Sequence, residues 1–337
     1  MPRTEAAPFL IKCRSILTYC KRARDMQGRI LLQKGDSFYH IYQKSADGSL
    51  IFYSVRDHLM FFMVFCLAAK KHGVEVIGLC QMPDHTHGLV RSVPASTLSA
   101  FVSEYTRNFA VAYNEWYGRT GSVFSHGFGR ALKTGDKAIR TATAYLYNNP
   151  VEKWICKKAL DYQWNYLAYY GSSFPFSEKI VFHNARLALR NAIRAIRFEY
   201  NSGRAVSYEM MESFLKELRP EEIHYLIDYI IKTYNCIDYE SLLSRYESYE
   251  SMVKAFSSMT VKEYDIKEEF TPGSDLAYSR IHKCLNQLLP NRPIKEILAL
   301  PTENRELLFD KVLRLSRANG RQVAKFLQLT GAAAIKK

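Results

Sequence analysis

The chain has 337 residues, of which 47% are hydrophobic, and its formal net charge is +14. This length accommodates about two domains, and the longest apolar run, residues 59–69, is well short of the roughly 20 residues of a membrane-spanning helix. The seven cysteines form no Cys-x-x-Cys pair, which argues against both a disulfide framework and a structural zinc site.

Net positive charge lies in the first 200 and the last 67 residues, and the segment between them is acidic. Residues 1–200 carry 27 Lys and Arg against 14 Asp and Glu, residues 201–270 carry 8 against 14, and residues 271–337 carry 12 against 5. Nucleic acid is the common polyanion for a basic cytosolic protein. Because the N-terminus also has no signal-peptide pattern, the sequence predicts a cytoplasmic protein that contacts nucleic acid and no membrane.

The first half of the chain alternates between strand-like and helix-like patterns. In chain order, the predicted elements are a strand at 38–43, a helix at 56–72 that Gly73 ends, strands at 74–80 and 85–93, a helix at 97–116, a strand at 127–132 and a helix at 137–148 that ends near Pro150. This order is that of a ferredoxin-like α+β fold, an antiparallel sheet with helices on one face.

From about residue 180 the pattern is helical. Helices are predicted at 181–200, 208–218, 220–234, 239–256, 275–289, 302–318 and 321–329. The sign of the charge changes near Thr271-Pro272-Gly273-Ser274, a linker-like stretch. We therefore predict an α+β domain at 1–175, followed by an all-α region that consists of a helical extension at 176–270 and a basic helical tail at 271–337.

Two histidines on one strand are candidate metal ligands. In the motif Met-Pro-Asp-His-Thr-His-Gly-Leu-Val, His85 and His87 are two residues apart, so a strand projects both rings to the same side. Imidazole binds transition ions and tolerates Mn²⁺ or Mg²⁺ when oxygen ligands complete the shell. Gly88 would leave room beside the pair for a substrate backbone. Cys80 and Asp84 are further candidate ligands. A structural role explains each of them better, Cys80 as a strand residue and Asp84 as a turn former.

A tyrosine and an asparagine form the second candidate group. In the motif Tyr-Leu-Tyr-Asn-Asn-Pro-Val, Tyr145 and Asn149 are four residues apart and would share one helix face. The phenol and the amide could then approach the ion of the histidine pair together, although Pro150 disfavours helical geometry at Asn149. On spacing alone, a packed tyrosine and a capping asparagine are the better interpretation.

The two motifs, in this order and about fifty residues apart, resemble the REP-associated tyrosine transposases. These are relatives of the small single-tyrosine transposases of bacterial insertion sequences. The connecting segment 121–130 and the block 161–166 resemble that family as well, and the resemblance covers roughly half of the chain. Asn165 and Tyr166 replace the usual serines, and Tyr147 stands where histidine is frequent.

The resemblance implies an HUH single-tyrosine transposase whose catalytic domain is the domain at 1–175. His85, His87 and Asn149 would hold a divalent metal ion, Mg²⁺ or Mn²⁺, and Tyr145 would be the nucleophile. Single-stranded or hairpin DNA would be cut through a 5′-phosphotyrosine, and the freed 3′-hydroxyl could later reseal the strand. Such a protein would associate with the nucleoid, and the family includes monomers as well as homodimers. The sequence identifies no general base.

Basic residues in two places are candidates for DNA contact. Two of them lie between the motifs, and four form a stripe along one face of the helix predicted at 181–200. These residues are Arg130 and Lys133, then Arg186, Arg190, Arg194 and Arg197. An amphipathic helix that packs Leu187, Ile193 and Ile196 inward explains the stripe equally well.

The tail offers a weaker indication of DNA recognition. Residues 321–331 resemble the first helix and turn of a helix-turn-helix reader, and the preceding Asn319-Gly320 ends a helix. The six residues that follow are too few for a full recognition helix. The tail is therefore interpreted as a truncated helix-turn-helix.

Three alternatives stay open. A domesticated regulator would bind hairpin DNA without turnover. A zinc hydrolase would use His85 and His87 on a small substrate, but that leaves the basic charge and the spacing of Tyr145 and Asn149 unexplained. A relaxase or replication initiator shares the chemistry, but it normally carries a histidine triplet or paired tyrosines in a longer chain.

Overall fold

The structure is a computed structural model, and it describes residues 37–92, 95–125, 127–258 and 276–329. Its four-stranded sheet has the order β2-β3-β1-β4, and all neighbours are antiparallel. The strands are β1 (Ser37–Lys44), β2 (Glu75–Met82), β3 (His85–Arg91) and β4 (Gly129–Thr134). The helices of this half are α1 (Val55–His72), α2 (Ala95–Tyr117) and α3 (Asp136–Glu152). The predicted ferredoxin-like α+β class is confirmed.

The two faces of the sheet have different partners. Tyr39 and Ile41 of β1 belong to the large apolar cluster that includes α1 and α2. Phe38, the residue before Tyr39, points to the other face and belongs to a second cluster that includes Ile139 and Leu146 of α3. The helices α1 and α2 therefore cover one face, whereas α3 packs on the opposite face, so the prediction that the helices share one face does not hold for α3. The candidate site lies on the α3 face.

The buried carboxylate of Asp57 ties α1 to its surroundings. It accepts hydrogen bonds from the backbone of Tyr53 (2.9 Å) and Ser54 (2.7 Å), which caps the start of α1. It also accepts from the hydroxyls of Tyr117 (3.0 Å) and Tyr208 (3.0 Å). Burial raises the pKa of Asp57 to about 6 although these donors act against the rise. Tyr208 lies outside the sheet domain, so this hydrogen bond joins the helical region to the first half of the chain.

The helix α3 continues through Pro150 to Glu152, four residues beyond the bound predicted at 148. Pro150 removes one backbone donor in the last turn, but the Lys153 amide still donates to the carbonyl of Asn149 at 3.0 Å. The Ile155 amide likewise donates to the carbonyl of Pro150 at 2.9 Å. Asn149 is thus helical, and its position one turn after Tyr145 is that of a regular helix.

Helices dominate the rest of the described chain, as predicted. They are α4 (Leu187–Asn201), α5 (Tyr208–Glu217), α6 (Pro220–Tyr234), α7 (Tyr239–Leu243), α8 (Tyr249–Ser258), α9 (Leu276–Leu288), α10 (Ile294–Leu298), α11 (Thr302–Ser316) and α12 (Gly320–Phe326). The single helix predicted at 239–256 is two helices, and the helix predicted at 181–200 begins only at Leu187. No helix within the described ranges is both long and apolar enough to cross a membrane.

The helical region and the sheet domain share one apolar core. Tyr208, Ile230, Ile281 and Phe326 belong to the same buried cluster as Phe62 of α1. The three segments divided at 175 and 270 therefore pack together around common side chains. Their division into separate domains stays a prediction.

An uncharged histidine is buried in that core. The His58 ring of α1 stacks between Phe52 and Trp164, with ring centroids 4.6 and 4.3 Å away. Its Nδ1 lies 2.7 Å from the amide oxygen of Gln81. Burial lowers the pKa of His58 to about 3, and the hydrogen bond to Gln81 offsets only part of that effect. Trp164 belongs to the block at 161–166, so this block packs against α1.

We expect His58→Gln to make the protein less sensitive to acid. Because burial depresses the folded pKa of His58 to about 3, the unfolded chain binds the proton first as the pH falls below the ordinary value of 6.5. One such histidine lowers the free energy of unfolding by about 2 kcal/mol between pH 7 and pH 5. Urea denaturation at both pH values measures this loss, which His58→Gln should largely abolish. The exposed His183→Gln is the control, and a variant at 58 with the wild-type pH dependence would contradict the argument.

Candidate active site

The two histidines of β3 lie in contact with each other. Their ring centroids are 4.8 Å apart and their planes are nearly perpendicular. His87 is 1% exposed, whereas the side chain of His85 is partly exposed at 14%. The pair therefore combines one deeply buried imidazole with one at the edge of the solvent.

Both ring nitrogens of His87 have polar neighbours. Its Nε2 lies 3.0 Å from the amide group of Asn149, and its Nδ1 lies 3.2 Å from Nε2 of His40. Burial lowers the pKa of His87 well below the usual value, and the nearby charges of His85 and Lys44 lower it further. His87 is thus neutral at physiological pH, which is the form of histidine that binds metal ions.

The helix α3 brings Tyr145 and Asn149 to this histidine. The ring of Tyr145 is edge-on to His87 and His40, with centroids 5.4 and 6.0 Å away. Asn149 is 3% exposed. The phenol and the amide therefore meet the same imidazole from successive turns of one helix.

The buried amide of Asn149 fits a cation site. Its Oδ1 has no hydrogen-bond partner among the residues that the structure describes, which is uncommon for a buried oxygen. The two ends of an amide are assigned from their neighbours, so either end can face His87. The 3.0 Å separation from His87 Nε2 is also about the spacing of adjacent ligands in an octahedral shell with bonds near 2.1 Å. Imidazole and amide oxygen together are suitable ligands for a divalent ion.

Acidic residues and cysteines add little to this donor set. Within the described ranges, no three His, Cys, Asp or Glu side chains converge on one point. Cys80 is fully buried, and burial raises the pKa of its thiol well above the usual value, so it stays protonated. The structural interpretation of Cys80 therefore fits. A site at His85 and His87 depends on an amide oxygen for its third protein donor.

Sequence analysis missed His40. This residue of β1 is fully buried, and its ring stacks on His87 with centroids 5.2 Å apart. The alternation of Phe38, His40 and Tyr42 along β1 signals that the three share a face. The strand order, with β1 next to β3, then brings His40 to His87.

Asp84 does more than form a turn. Its Oδ1 lies 2.5 Å from Nδ1 of His85, and its Oδ2 accepts from the ammonium of Lys325 in α12. Burial alone would raise the pKa of Asp84, but the charges and hydrogen bonds of His85 and Lys325 hold it well below its usual range. The carboxylate therefore stays charged beside the outer histidine.

The interpretation of Gly88 is wrong. A Cβ at this position would lie 3.1 Å from Cγ1 of Ile41 and 3.7 Å from the ring of Phe65. Both belong to the core cluster under α1. The missing side chain thus serves close packing on the opposite face, and it makes no room beside His85 and His87.

The two basic residues of β4 point to different faces. Lys133 is paired with Phe38, so it is on the α3 face of the sheet, whereas Arg130 is paired with Ile41 and lies on the core side, at its exposed edge. The structure brings Lys133 to the face of the candidate site and leaves Arg130 on the other. Contact of Arg130 and Lys133 with DNA stays a prediction.

The arginine stripe on α4 is partly engaged by protein groups. Arg186 pairs with Glu222 at 2.7 Å, and Nε of Arg197 donates to the hydroxyl of Tyr229 at 2.5 Å. Arg194 is exposed, and Arg190 is partly buried. Beside the stripe on the same helix, Ile193 and Ile196 are buried, as the amphipathic alternative expects, whereas Leu187 is 60% exposed. A role of the stripe in DNA binding stays a prediction.

The tail contains a helix, α12, in the segment predicted at 321–329. Residues 330–337, where the second element of a helix-turn-helix would lie, are outside the described residues. The helix α12 contacts Asp84 through Lys325, and the carbonyl of Phe326 accepts from the hydroxyl of Tyr53 at 3.2 Å.

Comparison with known proteins gives one family match. Residues 49–149 match the family model described as "Transposase IS200 like". A similar solved structure is described as "Structure of the REP associates tyrosine transposase bound to a REP hairpin". It is 16% identical, the alignment covers 41% of this chain and 80% of that chain, and the TM-score is 0.35. No curated protein matches the chain. The matched segment includes both histidines of β3 and the tyrosine and asparagine of α3, but neither β1 nor α12.

Proposed function

Residues 49–149 match the IS200-like transposase family model, and from that match we propose that the chain is a metal-dependent DNA strand transferase. The observation that carries the proposal is the meeting of Tyr145, His87 and Asn149 on one face of the sheet. A phenol beside neutral imidazole and amide donors suits the cleavage of a phosphodiester through a phosphotyrosine. The proposed substrate is single-stranded or hairpin DNA, in keeping with the basic charge of the chain.

The proposed ligands of the divalent ion, Mg²⁺ or Mn²⁺, are His85, His87 and Asn149. The neutral state of His87 and the buried Asn149 oxygen, which has no donor in the described part of the chain, support this set. When bound, such an ion neutralises charge on the scissile phosphate. The Asp84 carboxylate at 2.5 Å from Nδ1 of His85 leaves Nε2 of that ring for the ion.

In the proposed reaction, the phenol oxygen of Tyr145 attacks the phosphorus of the target strand. The bond between phosphorus and the 3′ oxygen breaks, which gives a 5′-phosphotyrosine and a free 3′-hydroxyl. A 3′-hydroxyl can later attack the phosphotyrosine, restore the phosphodiester and return the phenol. Tyr145 is only partly buried, so solvent can accept the phenol proton, and the stacked rings of His40 and His87 both lie against the tyrosine ring.

One chain supplies every residue of the proposed site. The helix α3 packs on the sheet of its own chain, and its outer side is fixed by α8, because Asn148 donates to the carbonyl of Phe256 and the ring of Tyr147 stacks on Phe256 at 5.3 Å. This arrangement supports cleavage within one protomer. A homodimer would then serve a purpose other than completing the site.

We expect Tyr145→Phe to abolish a covalent protein–DNA adduct. The test incubates the purified protein and labelled single-stranded hairpin DNA from the flanks of its own gene with Mn²⁺ or Mg²⁺, and follows the adduct on a denaturing gel. The control, Tyr170→Phe, changes a tyrosine that stacks on Tyr249 away from the histidines, and it should form adduct at the wild-type level. Adduct formation by Tyr145→Phe would refute the nucleophile. Hairpin binding without any adduct from the wild-type protein would instead favour the domesticated regulator.

We expect Asn149→Ala to weaken binding of Mn²⁺ about tenfold or more, because it removes one of three proposed protein ligands. Isothermal titration of the protein with Mn²⁺ in the absence of DNA measures this affinity. Asn148→Ala, one residue earlier on the same helix, is the matched control, since its amide contacts Phe256 rather than the histidines. Equal affinities of the two variants would remove Asn149 from the ligand set.

A further inference from the structure

Beyond the segment that matches the transposase family, a lysine of the C-terminal helix reaches the histidine pair. Lys325 of α12 donates to Oδ2 of Asp84, and Oδ1 of the same carboxylate lies 2.5 Å from Nδ1 of His85. The side chains of Lys325 and Asp84 are each 22% exposed, and that of His85 is 14% exposed. The contacts therefore run from Lys325, 240 residues after His85 in the sequence, through Asp84 to the His85 ring.

The position of α12 does not depend on the lysine alone. The hydroxyl of Tyr53 donates to the carbonyl of Phe326 at 3.2 Å and lies 3.2 Å from Nε2 of Gln328. The rings of Tyr53 and Phe326 also meet edge to face at 5.4 Å. A guanidinium nitrogen of Arg305 donates to the carbonyl of Leu327 at 2.8 Å, which joins α12 to α11. The backbone that carries Lys325 is thus held independently of the ion pair.

The same loop supports both partners of that ion pair. The amides of Ile51 and Phe52 donate to the carbonyl of Pro83 at 2.8 and 3.1 Å, which fixes the turn that carries Asp84. Tyr53 follows directly and holds α12. Since Asp84 and Lys325 are both anchored to residues 51–53, their relative position is determined by backbone contacts on each side.

We propose that Lys325 is a positioning residue for the metal site: it fixes the carboxylate of Asp84, which in turn orients the ring of His85. The proposal rests on the assignment of His85 as a ligand under the proposed function. Ligating histidines commonly give their second ring nitrogen to a carboxylate, and loss of such an outer partner typically costs 10–100-fold in metal affinity. A carboxylate held at one oxygen can still turn about its side-chain bonds. One held at both oxygens keeps the ring in a single orientation.

The first experiment compares Lys325→Met and Lys325→Arg with the wild type. Methionine keeps much of the length of the side chain but cannot donate, so we expect about a tenfold loss of Mn²⁺ affinity by isothermal titration. Arginine should retain most of the affinity. Hairpin DNA binding measured by fluorescence anisotropy in EDTA should be the same in all three proteins. Lys311→Met, at an exposed lysine of α11, is the matched control and should bind Mn²⁺ like the wild type.

A second measurement reads the orientation of His85 without any metal. In protein with ¹⁵N-labelled histidine at one fixed pH, the wild type and Lys325→Arg should show His85 with its proton on Nδ1, facing Asp84. In Lys325→Met the signal should shift toward the other tautomer. Tyr53→Phe removes a hydroxyl that contacts α12 but keeps the lysine. A smaller shift of the His85 signal in Tyr53→Phe than in Lys325→Met would show that Lys325 itself, rather than docking of the helix, orients the ring.

The outcomes are distinguishable. Wild-type Mn²⁺ affinity together with an unchanged His85 signal in Lys325→Met would overturn the proposal. More adduct from Lys325→Met at unchanged affinity would also overturn it, because α12 would then restrict access rather than orient a ligand. If the wild type and His87→Ala bind Mn²⁺ equally poorly, the proposed function fails at the metal site, and the His85 signal alone decides the role of Lys325.

Discussion

Side chains on β1 and β3 alternate between the two faces of the sheet, and the position of every group in the candidate site depends on this alternation. Ile41 and the missing side chain of Gly88 face the helices α1 and α2, where the sheet and α1 pack closely. His40 and His87 face α3 and stack on each other. A shift of one residue in either strand would exchange the two sets. It would place imidazoles in an apolar core, so the packing of the core also determines the register of the site.

The helix α3 satisfies a second periodic requirement. Tyr145 and Asn149 are one turn apart and meet His87, whereas Tyr147 and Asn148 turn away from it. The hydroxyl of Tyr147 donates to the carbonyl of Ile77 at 3.3 Å, while its neighbour Asn148 donates to α8. The helix is thus held between the sheet and the helical extension. A rigid helix suits the proposed nucleophile, since its phenol would have to stay near a fixed imidazole and small displacements of reacting groups cost much of the rate.

Local patterns in the sequence predicted what local forces decide. The strands and helices of the sheet domain and the spacing of the two motifs follow from alternation, helical period and caps, and the structure has them at close to the predicted bounds. The face on which Arg130 lies and the neighbours of His40 depend on the strand order, which no local pattern contains. The contact of Lys325 with Asp84 joins residues 241 positions apart, so only the folded chain shows it. The helix α3 extends past Pro150 because its packing on the sheet outweighs the one backbone donor that Pro150 removes.

The helical region also supports the sheet domain through buried polar contacts, in addition to covering apolar surface. Asp57 receives donors from α2 and from Tyr208 of α5, and Asp84 receives Lys325 from α12. Each is an acid with at least one donor from a distant part of the chain, and a carboxylate shielded from water that loses a donor is costly because its desolvation is no longer compensated. The segment that matches the transposase family therefore contains the candidate ligands and nucleophile but not all the groups that hold them. In this chain the geometry of the site is a property of the sheet domain and the C-terminal helices together.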